Sequence, residues 1–240
     1  MSPSNRSRRA AEAARQRRHR WVLWGGLAAV VVVAIVVAVV SSGGGDDSTA
    51  KATSYETGQV TVDGTALPQY SDSYSGTKKD PALAKTIPTL HGTSVFNGKP
   101  VTIAPDGKPK AVVFVAHWCP HCQAEVPRLV ALAKQGVFDG LEVSAVATGT
   151  NSTYPNYPPS AWLKDKSWPY PVMADSKTGT AAQAFGLDAY PYFVLVNPDG
   201  TVAGRATGEV SDADVTANVK ALVAGKPLPL LSSGASSSAS

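Results

Sequence analysis

Two kinds of apolar pattern alternate along the second half of this chain. Residues 110–116 form a short continuous apolar run, which is typical of a central strand buried on both faces of a sheet. In residues 120–134 the apolar positions recur at helical spacing, and the pattern ends before Gly136. The same alternation predicts further strands at 141–148, 171–174 and 193–197, and helices at 160–166, 178–185 and 211–224. Strands that alternate with helices indicate an α/β fold, a mixed sheet flanked by helices on both faces.

Two turn sequences predict hairpins in this sheet. Asn97-Gly98 separates the strand-like segments 93–96 and 99–103, and an Asn-Gly pair is a strong signal for a tight hairpin. Residues 198–200, Pro-Asp-Gly, connect 193–197 to a strand at 201–206. The segment 85–226, roughly 140 residues, is long enough to bury one α/β core.

The first 40 residues have a different pattern. Residues 1–20 contain seven arginines and one acidic residue, and residues 21–40 contain no charged residue. Twenty helical residues rise about 30 Å, which matches the hydrocarbon core of a bilayer, and Trp21 and Trp24 suit its interface. The sequence therefore predicts a single transmembrane helix at 21–40, anchored in the cell membrane. The positive-inside rule places the basic tail 1–20 in the cytoplasm and everything after the span outside.

A cleaved signal peptide is the alternative interpretation of this segment, although its apolar run exceeds the about 7 to 15 residues usual in such peptides. The net charge of the chain is +4, but residues 1–20 alone carry +6, which leaves −2 for the remainder. The basic excess is thus a topology signal, and no nucleic-acid partner is expected. Polar, glycine-rich composition predicts a flexible tether and N-terminal extension at 41–84, and the tail 227–240 is predicted to be disordered.

The two cysteines of the chain, Cys119 and Cys122, directly follow the apolar run. Two thiols separated by two residues at a strand-to-helix junction can close a reversible disulfide, whereas a structural zinc site would need four ligands. If Cys119 caps the helix and Pro120 is its first residue, the free amides of the first turn favour a thiolate at Cys119. A protonated His121 adds positive charge, and Cys122 is then the shielded resolving thiol. The alternative is a pair of buried, inert cysteines. No cofactor and no metal are expected.

The segments around the two cysteines and around Pro191 resemble those of a known family. Residues 115–122 with Glu125-Val126-Pro127 resemble the active-site strand and first helix of thioredoxin-like proteins, and residues 189–193 resemble their cis-proline loop. Pro191 lies 72 positions after Cys119, a spacing similar to that of the membrane-tethered ResA/TlpA group. The resemblance covers about residues 85–225. It implies a thioredoxin-like fold with a cis bond before Pro191.

The resemblance also implies roles for individual residues. Cys119 and Cys122 would be the redox-active pair, and His121 would tune it, because a Pro-His dipeptide between the cysteines is that of DsbA. Glu125 matches a glutamate that the ResA/TlpA group places behind its active site, where it could relay a proton. Equally, Glu125 could form an ion pair with Arg128 on a solvated face. The expected substrate contacts are Trp118, Pro120, Tyr190 and Pro191. His117 is expected to be an exposed residue at the end of a strand.

These features favour an extracytoplasmic, membrane-tethered thiol-disulfide oxidoreductase. Its partners would be thiol-containing extracytoplasmic proteins and a membrane redox partner. The DsbA-type dipeptide favours disulfide formation, whereas the ResA-like frame implies a reductase of extracellular thiols such as those of apocytochrome c. A third interpretation is a Cu(I) metallochaperone that uses the two cysteines and His117, since soft thiolates suit that ion. The copper-delivering relatives of this fold, however, have a wider cysteine spacing and a distal histidine.

Overall fold

The computed structural model describes residues 55–74 and 79–229 of the chain. Its strands are β1 (Thr61–Asp63), β2 (Thr89–Ser94), β3 (Pro100–Ile103), β4 (Lys110–Val115), β5 (Glu142–Ala147), β6 (Val172–Ala174), β7 (Tyr192–Val196) and β8 (Val202–Thr207). Its helices are α1 (Pro120–Lys134), α2 (Pro159–Asp165), α3 (Thr180–Ala184) and α4 (Asp212–Val223), with a 3-10 turn at Asp72–Tyr74. The strands and helices predicted from residue 93 onward are present, and most of their ends agree within two residues. The exception is β2, which begins earlier than expected.

The strands form one mixed sheet in the order β1-β2-β6-β5-β4-β7-β8, with β3 also paired to β2. β4 lies near the centre, parallel to β5 and antiparallel to β7. Every residue of β4 is buried, including Lys110, whose ammonium group is paired with Asp106 and Glu142. Burial on both faces is the reason for the continuous apolar run in the sequence.

Helices cover both faces of this sheet, as predicted. α1, α2 and α4 contribute to the apolar core on one face, together with Val113 and Val115 of β4. α3 contributes to the core on the other face, together with Val112 and Phe114. The alternation of these four β4 side chains between two cores follows from the pleat of the strand.

The segment before β2 packs on the face that carries α3. Leu67, Tyr70 and Ala82 are buried in that core. Arg205 of β8 is buried beneath them, where it pairs with Asp80 and donates a hydrogen bond to the Pro68 carbonyl oxygen at 2.7 Å. The packed unit therefore starts upstream of residue 85, the boundary expected from the sequence, because this segment covers apolar surface of the sheet.

The predicted transmembrane helix at 21–40 lies outside the described residues, as do the basic tail 1–20, residues 41–54 of the tether and the end of the C-terminal tail. Within the described ranges, no helix is both long enough and apolar enough to cross a bilayer.

Candidate active site

The site is built where β4 ends and α1 begins. Cys119 is the residue that caps α1, with extended backbone angles, and Pro120 is the first helical residue, as predicted. Proline is tolerated there because the first amides of a helix have no partner within it. No side chain of the described residues accepts a capping hydrogen bond from this helix start. The free amides and the positive end of the helix dipole are thus directed at the Cys119 position.

The two thiols lie in different surroundings. Both cysteines are free, and the exposed fraction is 6% for Cys119 and 0% for Cys122. The Cys122 sulfur accepts a hydrogen bond from the Ala116 amide at 3.5 Å, and burial raises the pKa of its thiol. The Cys119 sulfur lies 3.8 Å from the carbonyl oxygen of Tyr190. Cys119 is therefore the thiol nearer to solvent, and Cys122 is shielded below it.

The predicted substrate-contact residues surround Cys119. The Tyr190–Pro191 peptide bond is cis, as predicted, and it brings the loop before β7 against the cysteines. The Tyr190 ring meets the Trp118 indole edge to face, with centroids 5.8 Å apart. Pro120 is exposed at the start of α1. The fold thus brings together residues that are far apart in the chain.

The loop that follows β5 adds an aromatic side to this site. The Trp118 indole donates a hydrogen bond to the Gly149 carbonyl oxygen at 2.8 Å, and its ring packs on Tyr154 at 5.4 Å. Gly149 has a φ of +61°, and a Cβ there would lie 3.0 Å from the Tyr190 hydroxyl oxygen. Only glycine avoids this close contact. Tyr154 is about half exposed.

His117 is buried, and the prediction that it is exposed is wrong. Its Nδ1 lies 2.7 Å from the Pro155 carbonyl oxygen, and its Nε2 lies 3.3 Å from the Asn151 amide. Because a carbonyl only accepts and an amide only donates, the proton is on Nδ1. His117 thus turns inward and anchors the loop after β5. Both ring nitrogens are occupied, so His117 is not available to the copper-chaperone interpretation.

Glu125 is buried one turn beyond Cys122. Its exposed fraction is 1%, and its carboxylate accepts hydrogen bonds from Arg128 at 2.9 Å and from the Val210 amide at 3.4 Å. The ion pair with Arg128 is therefore present, but the expectation of a solvated face is wrong, because α1 packs this side against the loop before α4. Burial raises the pKa of Glu125 to about 7, although Arg128 opposes the shift. A group that titrates near neutral pH can both give and accept a proton.

His121 lies on the exposed surface of α1, and its partner was not foreseen from the sequence. Its Nδ1 is 2.8 Å from Oε1 of Glu209, which follows β8 and is 88 positions later in the chain. Arg128 also pairs with Asp212, the first residue of α4, at 2.8 Å. No local pattern signals such contacts, since they exist only after β8 has been placed in the sheet.

Known proteins resemble this chain in both sequence and fold. The AhpC/TSA family matches residues 82–205. The chain is 30% identical over 143 residues to the thiol:disulfide interchange protein DsbE of Haemophilus influenzae, a match that covers 58% of this chain and 73% of that protein. It is 32% identical over 129 residues to the thiol:disulfide interchange protein TxlA of Synechococcus elongatus, covering 54% of this chain and 53% of that protein.

A solved structure supports the same fold. A hypothetical protein from Sinorhizobium meliloti superposes with a TM-score of 0.55 at 18% identity, covering 72% of this chain and 100% of that one. This likeness concerns the fold, while the family match over residues 82–205 includes the β4–α1 junction and the cis-proline loop in sequence. The chain thus belongs to the AhpC/TSA family and is a thiol:disulfide oxidoreductase with a thioredoxin-like fold.

Proposed function

We propose that this chain is a membrane-tethered, extracytoplasmic oxidase that forms disulfides through Cys119 and Cys122. A substrate thiolate attacks the Cys119 sulfur of the oxidised pair, the Cys119–Cys122 bond breaks, and Cys122 leaves as a thiolate that takes up a proton. A second substrate thiol then attacks the mixed disulfide and releases Cys119. Two electrons pass from the substrate to the cysteine pair, and a membrane oxidant removes them. The substrates are extracytoplasmic proteins with free thiols.

The observation that carries this proposal is the asymmetry of the two thiols at the start of α1. The Cys119 sulfur lies at the helix cap and beside the Tyr190 carbonyl, where an extended substrate chain could pair with the cis-proline loop. Cys122 is fully buried and its thiol pKa is raised, which suits a resolving thiol. His121 supports the oxidising direction, because positive charge near the helix cap stabilises the reduced, thiolate form.

A reductase is the second candidate, and one contact favours it. Glu209 pairs with His121 at 2.8 Å, and its negative charge offsets that of a protonated imidazole. With less stabilisation of the thiolate, the reduced pair would be a better electron donor.

The redox potential of the purified full chain distinguishes these two directions. We expect equilibration with glutathione to give a value closer to the about −120 mV of DsbA than to the about −270 mV of thioredoxin. The oxidised chain should also introduce a disulfide into a reduced two-thiol peptide. A potential near that of thioredoxin would assign the chain as a reductase.

The location is proposed from residues 1–40, where seven arginines precede the apolar segment. Protease added to intact cells should degrade the part of the chain that follows residue 41, while an epitope placed within residues 1–20 stays protected. A cytoplasmic protein with an epitope fused to its C-terminus serves as the control for cell integrity. Recovery of a soluble form that lacks residues 1–40 would instead identify a cleaved signal peptide.

A further inference from the structure

The segment from Glu209, which follows β8, to Asp212, the first residue of α4, is bound to α1 at two levels. Near the start of the helix, Glu209 Oε1 lies 2.8 Å from His121 Nδ1. Two turns further along, Arg128 pairs with Asp212 at 2.8 Å. The second oxygen of Glu209 lies 3.8 Å from the same guanidinium group. Glu209 therefore lies between two side chains of α1. One is Arg128, which pairs with Glu125, and the other is His121, which lies between the two cysteines in sequence.

This position changes the electrostatic surroundings of the cysteine pair. A carboxylate only accepts hydrogen bonds, so His121 Nδ1 carries the proton that it shares with Glu209. A protonated imidazole and the Glu209 carboxylate together carry no net charge, so the pair is one unit more negative than a protonated His121 alone. Positive charge near a thiolate favours the reduced form of a cysteine pair, and negative charge disfavours it. Glu209 thus acts against the oxidising tendency of His121.

We propose that Glu209 is a positioning residue that holds His121 and lowers the oxidising power of the Cys119/Cys122 pair by balancing the imidazole charge. This inference rests on the proposed function in requiring those two cysteines to be the redox pair, but it does not depend on the direction of electron flow in the cell. In the equilibrium concerned, the enzyme dithiol reacts with oxidised glutathione. The products are the enzyme disulfide and two molecules of reduced glutathione. Removal of the Glu209 charge stabilises the dithiol and shifts this equilibrium toward it.

The test is a cycle of four full-length proteins at pH 7: the wild type, Glu209→Gln, His121→Ala and the double variant. Glutamine keeps an oxygen that accepts from His121 Nδ1 but removes the charge. Glu209→Gln should favour the dithiol by about threefold to tenfold in the equilibrium constant, where tenfold corresponds to about 30 mV. His121→Ala should favour the disulfide, because Glu209 is then unbalanced. The double variant should return to within about twofold of the wild type, since both members of the pair are gone.

Asp212→Asn is the matched control. It removes a carboxylate three positions after Glu209 that pairs with the same Arg128, but this carboxylate does not contact His121. Its equilibrium constant should stay within about twofold of the wild-type value. An equal shift in Asp212→Asn and Glu209→Gln would overturn the proposal in favour of a general charge effect. A Glu209→Gln constant equal to the wild type, or a double variant no closer to the wild type than His121→Ala, would also overturn it.

The cycle separates this inference from the oxidase proposal. A wild-type potential near that of thioredoxin would reject the oxidase, while the differences among the four proteins would still decide the role of Glu209. Failure of the cysteine pair to exchange with glutathione at all would overturn both. Near-ultraviolet circular dichroism of each variant verifies that the fold is retained.

Discussion

Replacing Cys122 with serine should trap the chain in mixed disulfides with its substrates. In the wild type, Cys122 can also reverse such an adduct by attacking the Cys119 sulfur, which restores the Cys119–Cys122 disulfide and releases the substrate thiol. Serine fills nearly the same space in the buried site but cannot attack, so the adduct should persist. Non-reducing gels of membranes from cells that express Cys122→Ser should show several high-mass bands that disappear on reduction. The wild type should show few such bands, so nearly all of the trapped adducts should be specific to the variant.

Cys119→Ser is the control for this experiment. The Cys122 sulfur is fully buried, whereas 6% of the surface of Cys119 is exposed, so a lone Cys122 should not form adducts. A double variant should give none. Equal trapping by both single variants would mean that the geometry of the two thiols does not set their order of attack. Trapping by Cys119→Ser alone would show that the assigned roles are reversed.

Glu125→Gln should stabilise the protein at pH 8 and not at pH 4. The folded-state pKa of Glu125 is about 7, above its ordinary value of 4.5, because burial disfavours the carboxylate. The stability that this raised pKa contributes is fully present below pH 4.5 and is lost as the pH rises through about 7. Glutamine resembles the protonated acid at every pH. Because of this linkage, the free energy of unfolding of the variant, relative to that of the wild type, should rise by about 3 kcal/mol between pH 4 and pH 8.

Unfolding in urea at several pH values measures this difference, which corresponds to roughly 6 to 12 °C in melting temperature. Arg128 keeps Asp212 as a partner in the variant, so its charge is not left unpaired. Asp165→Asn is a suitable control, because it removes an exposed carboxylate on α2. A constant difference between Glu125→Gln and the wild type across this pH range would show that the pKa of Glu125 is the same in the folded and unfolded protein.

The same variant tests whether Glu125 moves protons for Cys122. The negative charge of Glu125 contributes to the raised pKa of the Cys122 thiol, and its own titration falls near neutral pH. If Glu125 relays a proton, its loss should slow the resolving step on the order of a hundredfold. The rate of this step should then no longer change with pH near pH 7. Stopped-flow measurement of disulfide exchange gives this profile. An unaltered profile together with the expected stability gain would leave Glu125 a purely structural group.

Several parts of the site follow from local sequence alone. The placement of Cys119 as the cap and Pro120 as the first residue of α1 depends on local backbone preferences, and the structure agrees with it. The apolar runs located the central strands, since a strand buried on both faces leaves no polar positions. Ser211 caps α4 and accepts a hydrogen bond from the Asp214 amide, as its spacing indicates.

Other parts depend on contacts between distant segments. His117 was expected at the surface because a single histidine after a strand carries no signal of burial, yet the loop after β5 folds over it. The buried pairing of Asp80 with Arg205 joins segments 125 positions apart. The pairing of His121 with Glu209 likewise requires β8 to lie next to β7 in the sheet.

The local sequence predicts a mixed α/β sheet and places the two cysteines at a helix start, because these depend on periodicity and capping. The thioredoxin-like fold and the cis-proline loop at Pro191 followed from the resemblance to a known family. The charges that surround the cysteines depend on contacts between distant segments and could not be predicted from any one of them. Burial sets the pKa of Glu125, and long-range packing brings Glu209 to His121. The electrostatic balance of a redox site depends on distances and on exclusion of water, which are properties of the packed fold and not of any one segment.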